Sequence, residues 1–539
     1  MQASPPLPRR SPTRAEMNAL LALYQAGQWP QVEAEAVRLL KSYPQDVALH
    51  NLHGGACSEQ GQLARAVGSF RRAAELVPES PELQFNLAVT LGRLGELDEA
   101  IDAYQRAIAV KPDFAVAHYN LGTALKDLGR TEAAVASLQR AVSLQPGYMA
   151  AHANLGAALQ AQGRLDEAIA SYRAALTISP SAKGHLSLAS ALRARGRLAE
   201  AESELRIAVA LEPGYADAHN NLGETRWDMG EIDGALAAWR AALAVAPKHA
   251  EAHYNLGIFC HDAGRLDEAI PHFERSQLRD WRERRLYCLY KTRRLEEFRA
   301  ALAPMLAASP HHAPLLATLS AHHAASFGVP DEYRFCRDPL AYVHHGRLAE
   351  LAPGGALVAA LLRDVEQADL AERKQGRLVR GVQSAGNLFR RPEDSFRALA
   401  AAITAEIARY RAGLAGRDAE YARDFPAATV FSSSWYVRMR QGGHLSSHIH
   451  ESGWLSGVVY LAMPPRAPGS EDGCIEFSTD GDDYPREHAN FPRRVIAPEV
   501  GDIVLFPSSL FHRTIPFSAA SERVCVAFDI APGPPGARP

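Results

Sequence analysis

EAIDAYQRAIAVKPDFAVAHYNLGTALKDLGR, residues 99–130, decides the fold of the first half of this chain. Pro112 closes one helical stretch and Gly129 turns the chain out of the next. The same punctuation recurs. Prolines stand at 44, 78, 112, 146, 180, 213 and 247, a step of 34 with one step of 33. Glycines stand at 27, 61, 95, 129, 163, 196, 230 and 264, each 17 residues from a neighbouring proline, or 16 at the short repeat. Between them, segments such as EAIASYRAALTISP (residues 167–180) supply small alanines and an aromatic, which let paired helices pack.

A 34-residue period with Gly at the inter-helix turn and Pro at the repeat end is the tetratricopeptide pattern. It predicts an α-solenoid of about eight repeats over residues 14–283, with atypical first and last units and Trp281 where the next proline would fall. Asn86, Asn120, Asn154, Asn221 and Asn255 each precede Leu-Gly or Leu-Ala in the first helix of a repeat. Stacking brings such positions into one row, expected on the concave face. An amide side chain both donates and accepts, so the row suits the backbone of an extended peptide. AHYNLGTALKDLGR resembles the repeats of the O-linked N-acetylglucosamine transferase array, where such an Asn ladder grips substrate backbone. Ser187 interrupts the column at the short repeat. The bland alternative is that NLG is a packing consensus and binds nothing. A second column, His50, His118, His152, His185, His219 and His253, is read as packing between repeats.

The chemistry lies near the other end. His448-Ile449-His450-Glu451 is followed by Ser456-Gly457-Val458-Val459-Tyr460-Leu461. Then come Phe506-Pro507-Ser508-Ser509-Leu510-Phe511-His512, 62 residues after His450, and Arg523, 11 residues further on. Residues two apart on a strand share a face, so His448 and His450 point together, and His512 can join them on one face of an octahedral metal. The usual non-haem iron set is two His and one carboxylate. Arg523, beside the apolar strand 524–528, is suited to a bidentate carboxylate pair.

This order resembles the 2-oxoglutarate- and Fe(II)-dependent dioxygenases, most closely a bacterial group with H-x-H, S-G-x-x-Y-L, F-P-x-x-x-x-H and a terminal Arg. The likeness covers roughly residues 430–530. It implies a double-stranded β-helix (jelly roll), Fe(II) on His448 and His512, and 2-oxoglutarate on Arg523 with help from Tyr460. O2 would be the second cosubstrate, and a substrate C–H bond would be hydroxylated. His450 stands where the family places a carboxylate. Three readings stay open: His450 is a third ligand (the reading preferred), it lies outside a two-His site, or Glu451 turns in.

Length and composition fit a multidomain cytoplasmic enzyme. The chain has 539 residues and a net charge of −3, which makes no case for nucleic acid. Cys57, Cys260, Cys288, Cys336, Cys474 and Cys525 are scattered, with no C-x-x-C, so reduced thiols are expected. No apolar run is long enough for a membrane helix, and the Pro- and Arg-rich start is not a secretory signal. The expected domains are a disordered start (1–13), the repeat solenoid (14–283), a helical connector and support (284–420), the β-helix core (421–531) and a disordered tail (532–539). Residues 395–413 read as an amphipathic helix against the β-core. The adjacent pairs His311-His312, His322-His323 and His344-His345 read as surface or loop residues. Trp454 and the loop Asp480–Tyr484 are candidates for the substrate mouth. The leading functional expectation is hydroxylation of a peptide or protein captured by the repeats. The alternatives are a small-molecule oxygenase whose repeats only dock partners, and a scaffold whose β-domain has lost catalysis.

Overall fold

A computed structural model describes residues 11–308, 313–333, 335–367, 372–373, 377–384, 387–417, 419–451 and 453–533. The chain divides into two units, residues 1–255 and 256–539.

The first unit is helical throughout its described residues, in antiparallel pairs. In a typical pair, Ala115–Asp127 and Thr131–Leu144, the first helix ends on Gly129 at φ +72°. Its N–H donates to Lys126 O (2.9 Å) while the Arg130 N–H reaches back to Leu125 O (2.9 Å). This is a Schellman turn, which needs the left-handed conformation glycine adopts at little cost. The second helix buries Ala134, Val135, Leu138 and Ala141, one stripe at helical spacing. The NLG glycine has a packing reason. A Cβ on Gly156 would lie 2.8 Å from the Tyr172 ring, so the missing side chain lets the aromatic of the second helix nest against the first.

The histidine column has its own bond. The Nε2 atoms of His50, His118, His152 and His219 lie 2.9–3.1 Å from the carbonyls of Pro44, Pro112, Pro146 and Pro213, six residues earlier in each case. His253 does the same with Pro247 at 3.1 Å. The column ties each helix start to the preceding repeat end. His185 sits only five residues after Pro180 and instead meets Glu204 Oε2 at 2.6 Å. The one-residue deletion thus lies in that loop.

The second unit carries the sheets. Ten strands are described: β1 His344–Arg347, β2 Glu372–Arg373, β3 Leu378–Ser384, β4 Thr429–Leu445, β5 Leu455–Ala462, β6 Ile475–Ser478, β7 Arg493–Ile496, β8 Asp502–Pro507, β9 Phe511–Thr514 and β10 Arg523–Pro532. They form an antiparallel seven-stranded sheet, β1-β8-β5-β10-β4-β3-β2, and a three-stranded sheet, β7-β6-β9. The core between them joins Val437, Met439, Val458, Val504 and Phe506 of the large sheet to Ile475, Phe477 and Ile496 of the small one.

Two expectations are corrected here. Residues 284–420 are not wholly helical, since β1, β2 and β3 join the large sheet, β1 on β8 and β3 on β4. These strands are short and half-exposed, with burial alternating weakly or not at all, so they lack a clear strand pattern. Residues 11–13 are ordered at the helix start, where Thr13 and Glu16 form a capping box. Residues 1–10 and 534–539 lie outside the described residues. The Asp394–Gly413 helix does bury an apolar stripe, including Phe396, Leu399, Ile403 and Ile407.

Candidate metal centre

After Leu445 the chain leaves β4 as an extended segment rather than a regular strand. His448 and His512 form an isolated antiparallel bridge, with reciprocal N–H to O bonds of 3.1 and 3.0 Å. The His450 N–H donates to Ser508 O at 3.0 Å. The three expected histidines therefore come together. Ring centroids are 4.2 Å apart for His448–His512, 4.9 Å for His450–His512 and 5.4 Å for His448–His450. One nitrogen or other donor atom of each lies within 4.8 Å of those of the other two.

The backbone sets the tautomers. His448 Nδ1 faces Ser446 O at 2.9 Å and His512 Nδ1 faces Leu510 O at 3.2 Å. Carbonyls only accept, so both Nδ1 atoms carry the proton and both Nε2 lone pairs are available for a metal. Burial, then the His450 ring, pushes His448 down to about 3. Burial and the two neighbouring imidazoles hold His512 well below its ordinary value. Neutral imidazole is the ligand form.

Sequence reasoning missed the support of His450. Its Nδ1 lies 2.5 Å from Asp529 Oδ1 and 2.9 Å from Ser456 Oγ, and Ser456 Oγ donates to Asp529 Oδ1 at 2.7 Å. The signal was present. Asp529 is six residues after Arg523 on β10, an even spacing that puts both on one face.

Arg523 is 2 % exposed. Nε donates to Gly473 O at 3.3 Å, and Nη1 approaches Cys525 Sγ at 3.4 Å and Met439 Sδ at 4.0 Å. Among the described residues no carboxylate pairs with it. Its Cζ lies 5.0 Å from the centroid of the Tyr460 ring. Among the described residues the buried Tyr460 hydroxyl has no partner within hydrogen-bond geometry, and burial raises the phenol, so it keeps its proton. A buried cation beside an unpaired donor suits a carboxylate ligand. The imidazole set suits a divalent first-row metal.

The rim was not foreseen. The Trp281–Lys291 helix presents Arg284, Tyr287 and Lys291 on one face. Arg284 Nη2 lies 3.1 Å from Glu451 Oε2, so Glu451 is held by an Arg rather than turned towards the histidines. The Tyr287 hydroxyl donates to Asp482 Oδ2 at 2.6 Å, and Lys291 Nζ donates to Asp482 O. Asp480 accepts from His322 Nε2 (3.0 Å) and Arg486 (2.8 Å). The loop Asp480–Tyr484 is thus pinned rather than freely solvated. A Cβ on Gly481 would meet Phe511 Cδ1 at 2.6 Å and would also strike Ser447 Oγ. These residues precede His512 and His448.

Other expectations change. Trp454 is core, with Phe335, Tyr421 and Phe425 around it. His322 and His323 are buried in the Pro314–Phe327 helix. His344 and His345 do stay at the surface, pointing apart to Glu406 (2.7 Å) and Asp502 (2.8 Å). His311-His312 lies outside the described residues. All six cysteines are buried.

The asparagine column is half-buried and partly committed. Asn86 Nδ2 donates to Asn51 Oδ1 (3.1 Å), Asn154 Nδ2 to Thr123 Oγ1 (3.1 Å) and Asn255 Nδ2 to Asn220 Oδ1 and Glu224 Oε1 (both 3.0 Å). Asn221 Nδ2 donates to Asp217 O (3.0 Å). Glu33, His53 and Cys57 form a second compact group. There Glu33 is already neutralised by Arg65 at 2.6 Å, and His53 Nδ1 lies 2.6 Å from Ser69 Oγ, so the group reads as structural.

Residues 433–529 match the family model described as "Putative 2OG-Fe(II) oxygenase". Residues 18–81, 119–183, 186–227 and 222–283 match "Tetratricopeptide repeat", and 93–129 match "TPR repeat". The chain joins tetratricopeptide repeats to a 2-oxoglutarate/Fe(II) oxygenase domain. Among solved structures this repeat oxygenase is similar to MamA (27% identity, 29% of this chain and 92% of that one, TM-score 0.29). It is also similar to the C-terminal part of a TPR repeat-containing protein from Cytophaga hutchinsonii (17%, 44% and 97%, 0.39). A third is YrrB, described as a TPR protein with an unusual peptide-binding site (22%, 40% and 95%, 0.28). No curated protein matches the chain. Among the described residues no helix is long and apolar enough to cross a membrane.

Proposed function

We propose that this repeat oxygenase hydroxylates a peptide or protein captured by its tetratricopeptide array. His448, His450 and His512 hold Fe(II). Arg523 takes the far carboxylate of 2-oxoglutarate in a bidentate pair, and the Tyr460 hydroxyl donates to it. With O2, the bound pair supplies an oxidative decarboxylation that yields succinate and CO2 and places the second oxygen atom in a substrate C–H bond. The chain's own residues bind and shield. The bridge between His448 and His512 fixes two rings, and Phe506, 4.5 Å from the His512 ring centroid, keeps water from that side. The supporting observation is the convergence of three imidazoles near one strand that also buries a guanidinium lacking a carboxylate.

Asn86, Asn120, Asn154, Asn221 and Asn255 are the proposed peptide grip, acting chiefly through their carbonyl oxygens where the amide nitrogen is already used. That prior use favours the alternative, a small-molecule oxygenase whose repeats only mediate docking. Mass spectrometry of co-purified proteins discriminates. A one-oxygen mass gain that requires 2-oxoglutarate and vanishes in His448→Ala supports protein hydroxylation. Succinate formation on small molecules with no modified protein supports the alternative.

A further inference from the structure

Three neutral imidazoles leave a divalent metal with no negative ligand, unlike the usual two-His, one-carboxylate set. A carboxylate is nonetheless present, one side chain further out. Asp529 is buried on the inner face of β10. It stands opposite Ser433 of β4 and Ser456 of β5. Ser433 Oγ donates to Oδ2 at 2.8 Å, Ser456 Oγ donates to Oδ1 at 2.7 Å, and His450 Nδ1 lies 2.5 Å from Oδ1. The next rung on the same face is apolar: Trp435, Ala527 and Val458. An isolated carboxylate in such a face is costly. Here two serines and one imidazole N–H satisfy it, and the imidazole belongs to the metal group.

We propose that Asp529 is a positioning residue for the metal centre. Its carboxylate accepts from His450 Nδ1–H, turns Nε2 towards the metal and supplies the negative charge that the first-ligand carboxylate provides elsewhere. A carboxylate behind a ligating histidine fixes the ring and raises its basicity, and losing it costs 10- to 100-fold in metal affinity. The proposal rests on His450 being the third ligand.

The test is titration of the full chain with Co(II) alone, followed by its visible ligand-field absorption. Asp529→Asn keeps the shape and removes the charge. It is expected to weaken Co(II) binding by about 10- to 100-fold and to shift the absorption band. In a His450→Ala background the same substitution is expected to change neither. Placing the carboxylate on the metal directly, with His450→Asp and Asp529→Asn together, is expected to restore much of the affinity. An equal loss in both backgrounds would mean that Asp529 acts only through the fold, and unchanged Co(II) binding in Asp529→Asn would equally overturn the proposal. Wild-type Co(II) binding in His450→Ala alone would instead remove His450 as a ligand, which is a separate failure. If Asp529→Asn does not fold, Ser433→Ala carries the same two-background comparison, with a loss confined to the wild-type background expected and an equal or absent loss overturning it.

Discussion

Replacing Arg523 by Met separates ligand binding from folding. The guanidinium is almost wholly buried, makes one backbone hydrogen bond at 3.3 Å, and otherwise faces two sulfur atoms and a phenol ring. Of its five N–H donors, the two on Nη2 remain for a ligand, and the two on Nη1 face only sulfur. Breaking a buried ion pair costs roughly 3–5 kcal/mol, and each 1.4 kcal/mol is a factor of ten. Arg523→Met should therefore weaken 2-oxoglutarate binding by about two to three and a half orders of magnitude, read by calorimetry on the metal-loaded protein. The ligand-free protein should behave oppositely. Met fills the stem's place and removes a buried cation that has no anion, so the thermal midpoint should hold or rise. Unchanged 2-oxoglutarate affinity refutes the anchor. A ligand-free protein that loses several kcal/mol refutes the idea that the charge is kept for a ligand.

His448→Ala and His512→Ala should each abolish 2-oxoglutarate turnover, and full succinate formation in either would remove the metal assignment. His450→Ala with turnover retained would indicate a two-His site. Changing Asn86, Asn120, Asn154, Asn221 and Asn255 together to Ala should cut turnover of a protein substrate while 2-oxoglutarate binding persists. Three of these amides bond to the preceding repeat, so a moderate fall in the melting temperature is expected as well, and unaltered turnover would leave the repeats as a docking module. Gly481→Ala should overpack Ser447 and Phe511 at a cost of about 1–3 kcal/mol and weaken metal binding; wild-type metal affinity would show that the loop does not bear on the histidines. Glu476 is raised by burial, but Arg513 and Arg493 outweigh this and leave it below the ordinary carboxyl range. The stability it lends is present above that range and is lost as pH falls through its lowered value, so urea midpoints should drop less between pH 6 and pH 3 in Glu476→Gln than in the wild type.

The sequence made the repeats legible because a 34-residue period is carried by Gly and Pro, whose backbone demands are local. The metal group was legible because His448, His450 and His512 sit in short motifs, although the extended segment holding the first two is not a regular strand. What escaped depends on partners distant in sequence. Asp529 follows the apolar run 524–528 and carries no sign of a role until β4 and β5 place Ser433 and Ser456 beside it. Arg284, Tyr287 and Lys291 look like any charged helix. Their partners, Glu451 and Asp482, lie more than 160 residues further along. β1 was missed because its four residues alternate only between half-buried and exposed, and β3 because its burial does not alternate.

That separation has a consequence for timing. The hydrogen bonds between repeats span about 35 residues, so a chain made from its N-terminus can close each repeat soon after the next has been synthesised. The rim bonds from Tyr287 to Asp482 wait for 195 more residues, and the backing of His450 waits for Asp529, 79 residues after it. Between residues 450 and 512 the growing polypeptide carries two of the three clustered histidines without the third, and the buried Arg523 comes 11 residues later still. The histidine cluster is thus completed only after every repeat has been made.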